Sequence, residues 1–312
     1  MRKIFTVVAV VILLAAIVVG VGQWMNTHRG GPLPGQPPSP AGPTPPASEI
    51  EAVNPPGCSA YELIAAPGTW ESNPNDDPLN PTANPRSLLL TVTNPLKEQF
   101  GEQALKVWTV PYTAQFRNFN ALHEMSYDDS RKEGMERINA ELRATHEACP
   151  ATRFLLVGFS QGAVLTGDLA AEIGNGRGVV PADTIAGVTV IADGRQEDGK
   201  GTLVGNKGIK GTGAEIALNP VSGVIQPIVP GATMRGPRSD GFGELNDRVN
   251  SLCAPRDLVC DAPRELGDVL KRAQDLVNNN VVHSQYATNP NVVPGMTTPE
   301  WIIGWVGEIV QQ

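Results

Sequence analysis

Short apolar runs alternate along this chain with longer stretches in which apolar residues recur every three or four positions. Tyr61 to Ala65 is a short run, Ser87 to Val92 (Ser-Leu-Leu-Leu-Thr-Val) is a stronger one, and Val107 to Val110 is a third, ended by Pro111; each reads as a strand. Ser130 then opens a helix: Ser130 and Glu133 have capping-box spacing, and Met135, Ile138 and Leu142 follow at helical intervals. Phe154 to Val157 reads as a buried strand, Gln161 to Ile173 as a helix and Ile185 to Ala192 as the next strand. A further helix is expected from Pro263 to Val277, capped by Asp261, with Leu266, Val269, Leu270, Ala273 and Val277 along one face. The last begins at Thr298-Pro299, with proline at the first helical position, where its missing N–H costs nothing; Ile302, Ile303, Val306 and Ile309 give it an apolar side. Strands alternating with helices imply an α/β fold in three layers, a mostly parallel central sheet covered on both faces. Ligands in such folds gather beyond the carboxyl ends of the strands. One segment breaks the rhythm. Residues 193–249 are rich in Gly, Pro and polar residues around an apolar patch at Val221 to Val229. A loop of that length inside a domain is usually functional or mobile.

The amino-terminal part has a different pattern. Arg2-Lys3 precedes an uncharged apolar run from Ile4 to Gly22, long enough as a helix to cross a hydrocarbon core of about 30 Å. The basic flank predicts a cytoplasmic N-terminus, with everything after Gln23 outside. A retained anchor over residues 1–28 is favoured over a cleaved secretory signal, because the run is long for a signal and lacks an Ala-x-Ala site. Ten of the 28 prolines then fall between Pro32 and Pro56, with almost no large apolar residues among them. Residues 29–56 therefore read as an extended tether that cannot bury enough surface to order itself, and 57–312 as the globular domain.

Composition narrows the partners. A net charge of -8, with no cluster of Lys or Arg, argues against nucleic acid. Four cysteines in an exported domain suggest disulfides, with three connectivities open. Cys253 and Cys260 are near enough to close a small loop, which would leave Cys58 and Cys149 to close a long one. A zinc site is not expected, since no C-x-x-C occurs and His28, His123, His146 and His283 are scattered.

The chemistry concentrates in Gly158-Phe159-Ser160-Gln161-Gly162, a G-x-S-x-G pattern between the expected strand and helix. It is the signature of a nucleophile elbow, which presents a serine on a sharp strand-to-helix turn. A serine hydroxyl needs a base, a group to orient the base, and donors for the oxyanion. His28 lies in the tether and His146 on the amino side of the elbow strand, whereas His123 sits in a polar loop. The chain order Ser, acid, His of hydrolases with this architecture selects His283. Asp193 and Asp257 compete as the acid. Asp257 is favoured because a Cys253–Cys260 bridge would hold its carboxylate in place.

These residues together resemble the cutinase family: the elbow with Gln after the serine, Cys149-Pro150 before the elbow strand, and Cys253…Asp257…Cys260 followed by a His. More closely, the chain is similar to the membrane-anchored cutinase-like lipases of mycolic-acid-containing actinobacteria, over roughly Gly57 to Gln312. The resemblance implies an α/β-hydrolase with a Ser160, Asp257 and His283 triad and the disulfides Cys58–Cys149 and Cys253–Cys260. It also implies an oxyanion hole from the backbone N–H groups of Gln161 and of Thr69 in Ala66-Pro67-Gly68-Thr69. The anchor and the long 193–249 connection depart from simple cutinases, and the Val221–Val229 patch is a candidate lid or wall of the acyl pocket. The expectation is a membrane-tethered, extracytoplasmic serine esterase acting on lipid esters (acylglycerols, phospholipids or acyl thioesters) without a cofactor or metal. Two rivals stand beside it: acyl transfer to a sugar or lipid alcohol, and a non-catalytic envelope scaffold that binds lipid.

Overall fold

The computed structural model describes residues 53–205, 207–265 and 267–312. The Ile4–Gly22 run and the tether up to residue 52 lie outside the described residues, as does Leu266. Six strands form one sheet in the order β2-β1-β3-β4-β6-β5, and every neighbouring pair is parallel. In chain order they are β1 (Tyr61–Ala66), β2 (Leu105–Thr109), β3 (Arg153–Phe159), β4 (Ile185–Ile191), β5 (Thr202–Val204) and β6 (Val249–Leu252). The main helices are α1 (Leu90–Gln99), α2 (Tyr127–Ala148), α3 (Gln161–Gly174), α4 (Val269–Asn278) and α5 (Thr298–Val310).

Side chains alternate across each strand, so neighbouring residues feed opposite layers. Ile64, Phe154, Leu156, Val188 and Val190 pack with Ile138 and Leu142 of α2 and with Leu165 and Leu169 of α3. Leu63, Leu155, Val157 and Ile191 face the other way, onto Leu89, Val92 and Leu96 beside and within α1 and Ile302 and Val306 of α5. Strands buried on both faces are expected to be continuously apolar rather than alternating, as Phe154–Val157 is.

Several elements differ from their sequence reading. Ser87 to Val92 is not a strand but a turn leading into α1. Leu89, Val92 and Leu96 are its buried positions, a helical spacing; a run of three leucines cannot by itself distinguish a buried helix from a strand. Helix α2 starts one turn before Ser130, where Ser126 accepts from Asp129 N at 3.1 Å. Ser130 and Glu133 serve the preceding loop instead: Ser130 Oγ donates to Thr113 O, and Thr113 N donates to Glu133 at 2.9 Å. Helix α4 begins at Val269 rather than Pro263, and Asp261 does not cap it. The Asp261 carboxylate accepts from the amides of Lys210 (3.0 Å), Gly211 (2.6 Å) and Arg256 (2.8 Å), tying the long connection to the Cys253–Cys260 loop. The capping box of the last helix is Thr297 with Glu300.

The 193–249 segment is not one loop. It contains β5, and β6 follows its end at Val249, so the segment extends the sheet by an edge. Its apolar patch is folded inward: Ile225, Ile228 and Val229 are buried with Leu218, Met234, Tyr127 and Ala273. An ion-pair cluster fastens it to α3, where Asp168 meets Arg195 at 2.8 Å, Arg238 at 2.9 Å and also Arg235. Burial works to raise the Asp168 carboxyl, but the three guanidinium charges outweigh it and bring the carboxyl down to about 2. The disulfides Cys58–Cys149 and Cys253–Cys260 are both formed. At the far end of the sheet, Asn54 accepts from Ala151 N at 2.8 Å and donates to Thr152 Oγ1 at 3.1 Å, so the domain grips the chain before Gly57.

Candidate active site

Strand β3 ends at Phe159 and α3 begins at Gln161, leaving Ser160 alone on the turn with φ 54° and ψ -116°. A non-glycine residue held there costs about 1–3 kcal/mol, a strain that persists only where the surroundings impose it. They do so here. Ser160 N donates to Ile191 O at 2.9 Å, and Val164 N to Ser160 O at 3.1 Å. The flanking glycines are steric necessities: a Cβ on Gly162 would lie 1.9 Å from Ala66 O, and one on Gly158 would lie 2.3 Å from Gly162 O.

The structure brings Ser160 together with the two residues that the sequence selected. His283, on a single 3-10 turn (Val281–Gln285), has Nε2 at 2.9 Å from Ser160 Oγ. Its Nδ1 lies 2.9 Å from Asp257 Oδ2. The imidazole is stacked on Phe159, with centroids 5.0 Å apart and planes 20° from parallel. Asp257 is fully buried. Its Oδ1 accepts from Val259 N at 2.9 Å and from Asn280 Nδ2 at 2.7 Å, and its Oδ2 accepts from the Tyr286 hydroxyl at 2.8 Å. Burial acts to raise this carboxyl, but the charge and hydrogen bond of His283, helped by Val259 and Asn280, outweigh it and hold it below the usual range. The carboxylate is thus kept ionised where it faces the ring.

Asp193, the rival acid, is engaged elsewhere, with its Oδ2 at 2.6 Å from Arg238. His146 falls in the last turn of α2, at the opposite end of the sheet from the elbow, next to Cys149. Thr69 and Gln161 line the same cleft as Ser160 and His283. Gln161 is the first residue of α3, and an amide in the first turn of a helix has no partner within the helix. Its side chain is buried, with Nε2 donating to Gln115 O at 3.2 Å and Oε1 accepting from the Tyr112 hydroxyl at 3.3 Å. That single hydroxyl proton is shared, its nearer acceptor being Pro67 O at 2.7 Å, so the hydroxyl links the elbow to the loop carrying Thr69.

Sequence reasoning missed Tyr286, Asn280 and Tyr112. The first two lie three residues to either side of His283, and that spacing was the available signal; nothing local marked Tyr112. The cleft has a volume near 420 Å³ and is mostly apolar, with Leu88, Phe116, Val164, Met234, Val259, Leu276 and Val277 among its walls. From the long connection, Gly194, Ala214, Glu215 and Met234 reach it; the Val221–Val229 patch stands behind Met234.

An ionised carboxylate, an imidazole and a serine in series, at the carboxyl edge of a parallel sheet, is the arrangement of an α/β serine ester hydrolase. Residues 57–281 match the family described as Cutinase, and the chain belongs to that family. A protein of Corynebacterium glutamicum described as a carboxylesterase Culp6 homolog is 54% identical over 310 residues, covering 99% of each chain. An acetylxylan esterase solved at 0.90 Å superposes with a TM-score of 0.51 at 15% identity, covering 81% of this chain and 99% of that one. That second likeness concerns the fold alone. Among the described residues no helix is long and apolar enough to cross a membrane.

Proposed function

We propose that this carboxylesterase hydrolyses lipid carboxylic esters outside the cytoplasmic membrane, through an acyl-enzyme on Ser160. The observation that carries the reading is the hydrogen-bonded series Asp257–His283–Ser160 opening into an apolar cleft. His283 Nε2 takes the proton of Ser160 Oγ as that oxygen attacks the carbonyl carbon. The tetrahedral oxyanion is met by the amides of Thr69 and Gln161, each such donor being worth about 3 kcal/mol in the transition state. Collapse expels the alcohol, which leaves with the proton from His283. Water, deprotonated by the same ring, then attacks the acyl-enzyme and releases the acid. Asp257 holds the ring and stabilises the imidazolium without itself taking the proton.

The apolar walls support an acyl chain as the group that enters the cleft. Two disulfides support an oxidising compartment, and the Arg2-Lys3 flank with the Ile4–Gly22 run supports a membrane anchor that holds the domain near lipid. The test is hydrolysis of p-nitrophenyl esters and phospholipids of graded chain length by the wild type and by Ser160→Ala. Wild-type turnover that rises with acyl length, and is abolished in the variant, is the expected outcome. Turnover confined to acetyl esters would remove the lipid substrate from the reading.

A further inference from the structure

Glu71, two residues after Thr69, is a half-buried carboxylate to which the reaction above assigns no task. Its Oε2 accepts from Gly68 N and from Ser87 Oγ, each at 3.1 Å, and its Oε1 accepts from Leu88 N at 3.0 Å. Glu71 N donates back to Gly68 O at 3.0 Å, so the turn that carries Thr69 closes on itself. That turn is strained: Trp70 has φ 64°, and its carbonyl is held by Asn84 Nδ2 at 3.0 Å. Such a conformation survives only where contacts over-determine it. Each carboxylate oxygen receives a backbone N–H, which can only donate. An amide side chain would turn its own N–H toward one of these donors, so the site calls for a group that accepts at both ends.

The charge has a second consequence. The hydrogen-bond donors to Glu71 are all uncharged, and His283 lines the same cleft. Burial raises the Glu71 carboxyl, and the hydrogen bonds from Leu88, Gly68 and Ser87, with the His283 charge, oppose that rise. Around the pair stand Arg86 in the loop before α1, Tyr112 after β2, and Asp257 and Tyr286 beyond the imidazole. Burial keeps both tyrosines neutral. We propose that Glu71 is a positioning residue of the ester hydrolysis: it fixes the loop that presents the Thr69 amide and, with Asp257, supplies negative charge to His283 as that ring becomes imidazolium. The inference rests on the esterase reading of Ser160.

The test uses the full-length protein in detergent micelles, with p-nitrophenyl butyrate as substrate. Values of kcat and KM are measured from pH 4.5 to 9 for the wild type, Glu71→Gln and Glu71→Asp, and a fluorophosphonate probe counts the reactive serines. For Glu71→Gln the expected result is a kcat lowered at least about tenfold with KM within about threefold. Its acid limb in kcat/KM should also move at least about 0.3 unit to lower pH, since an imidazolium with one anion fewer beside it loses its proton more readily. Glu71→Asp keeps the charge but shortens the reach, so its kcat should fall while the acid limb stays in place. A Glu71→Gln plateau within about twofold of wild type, or a loss of kcat with an unmoved limb, would overturn the proposal. Should Glu71→Gln fail to fold, Glu71→Asp decides, and wild-type kcat in that variant overturns it. Wild-type protein that neither turns over ester nor takes up the probe would count against the esterase reading itself.

Discussion

Replacing Tyr286 by Phe removes a single oxygen from the interior of the site, and its cost can be worked from the bonds that oxygen makes. The Tyr286 side chain is buried, and its hydroxyl donates to Asp257 Oδ2 at 2.8 Å while accepting from Ala254 N at 2.9 Å. Losing a hydrogen bond to a charged group costs about 1.5–3 kcal/mol, and leaving a buried N–H unpaired costs about 1–3 kcal/mol. The two losses share one cavity and do not simply add, so about 2–4 kcal/mol is expected in total. For a domain of this size that corresponds to a fall of roughly 5–12 °C in Tm. Catalysis should suffer less. Asp257 keeps Val259 N, Asn280 Nδ2 and His283, so kcat should fall by less than about tenfold. Thermal melting followed by circular dichroism, beside steady-state kinetics on p-nitrophenyl butyrate, checks both halves. A melting temperature within about 2 °C of wild type would refute the reasoning, because an internal bridge between a carboxylate and an orphan amide cannot be removed without cost.

Other perturbations follow from the same geometry. Glu62, fully buried on β1 and 2.9 Å from Lys106, has its carboxyl raised by burial from 4.5 to about 7. Because the folded value lies above the unfolded one, its favourable contribution is complete below pH 4.5 and is lost as pH rises to 7. Glu62→Gln should therefore flatten the decline in stability across that window, by up to about 3 kcal/mol, in urea melts at several pH values; parallel pH curves would count against it. The Cys58–Cys149 bridge spans 91 residues and Cys253–Cys260 spans 7. On chain entropy, removing the first should cost about 4–5 kcal/mol and the second about 2–2.5 kcal/mol. The short bridge flanks Asp257, so the Cys253→Ser/Cys260→Ser protein should lose kcat per folded molecule, whereas Cys58→Ser/Cys149→Ser should not; equal losses in the two would contradict this. Deleting residues 219–235 removes Met234 from the cleft wall and the patch behind it, and should change the preference across an acyl-length series. An unaltered preference would show that this segment does not shape the pocket.

How far the chain could be read from its residues depended on whether a feature is local. The elbow is local. Gly158 is required by backbone approach within one turn, and the apolar run that delivers Ser160 has the continuous pattern of a doubly buried strand. Ser87–Val92 and Ser130–Glu133 misled because their local signals were satisfied by a different partner: a helix packing on the sheet in the first case, the 113–115 loop in the second. Strands β5 and β6 are three and four residues long, and their partners are other strands, so no local period announced them.

The amino-acid order by itself determined the strand and helix on either side of Ser160, the strained turn between them, and the candidate acid and base, because each of these is written in short-range sterics, periodicity or chain order. Only the tertiary structure decided that Asp193 is engaged by Arg238 while Asp257 meets His283, and that Glu71, Tyr112, Asn280 and Tyr286 stand around the reacting groups. Those choices depend on which polar atoms are buried against one another across tens of residues. A buried polar atom must find its partner in space, and the order of the chain does not record where that partner will be.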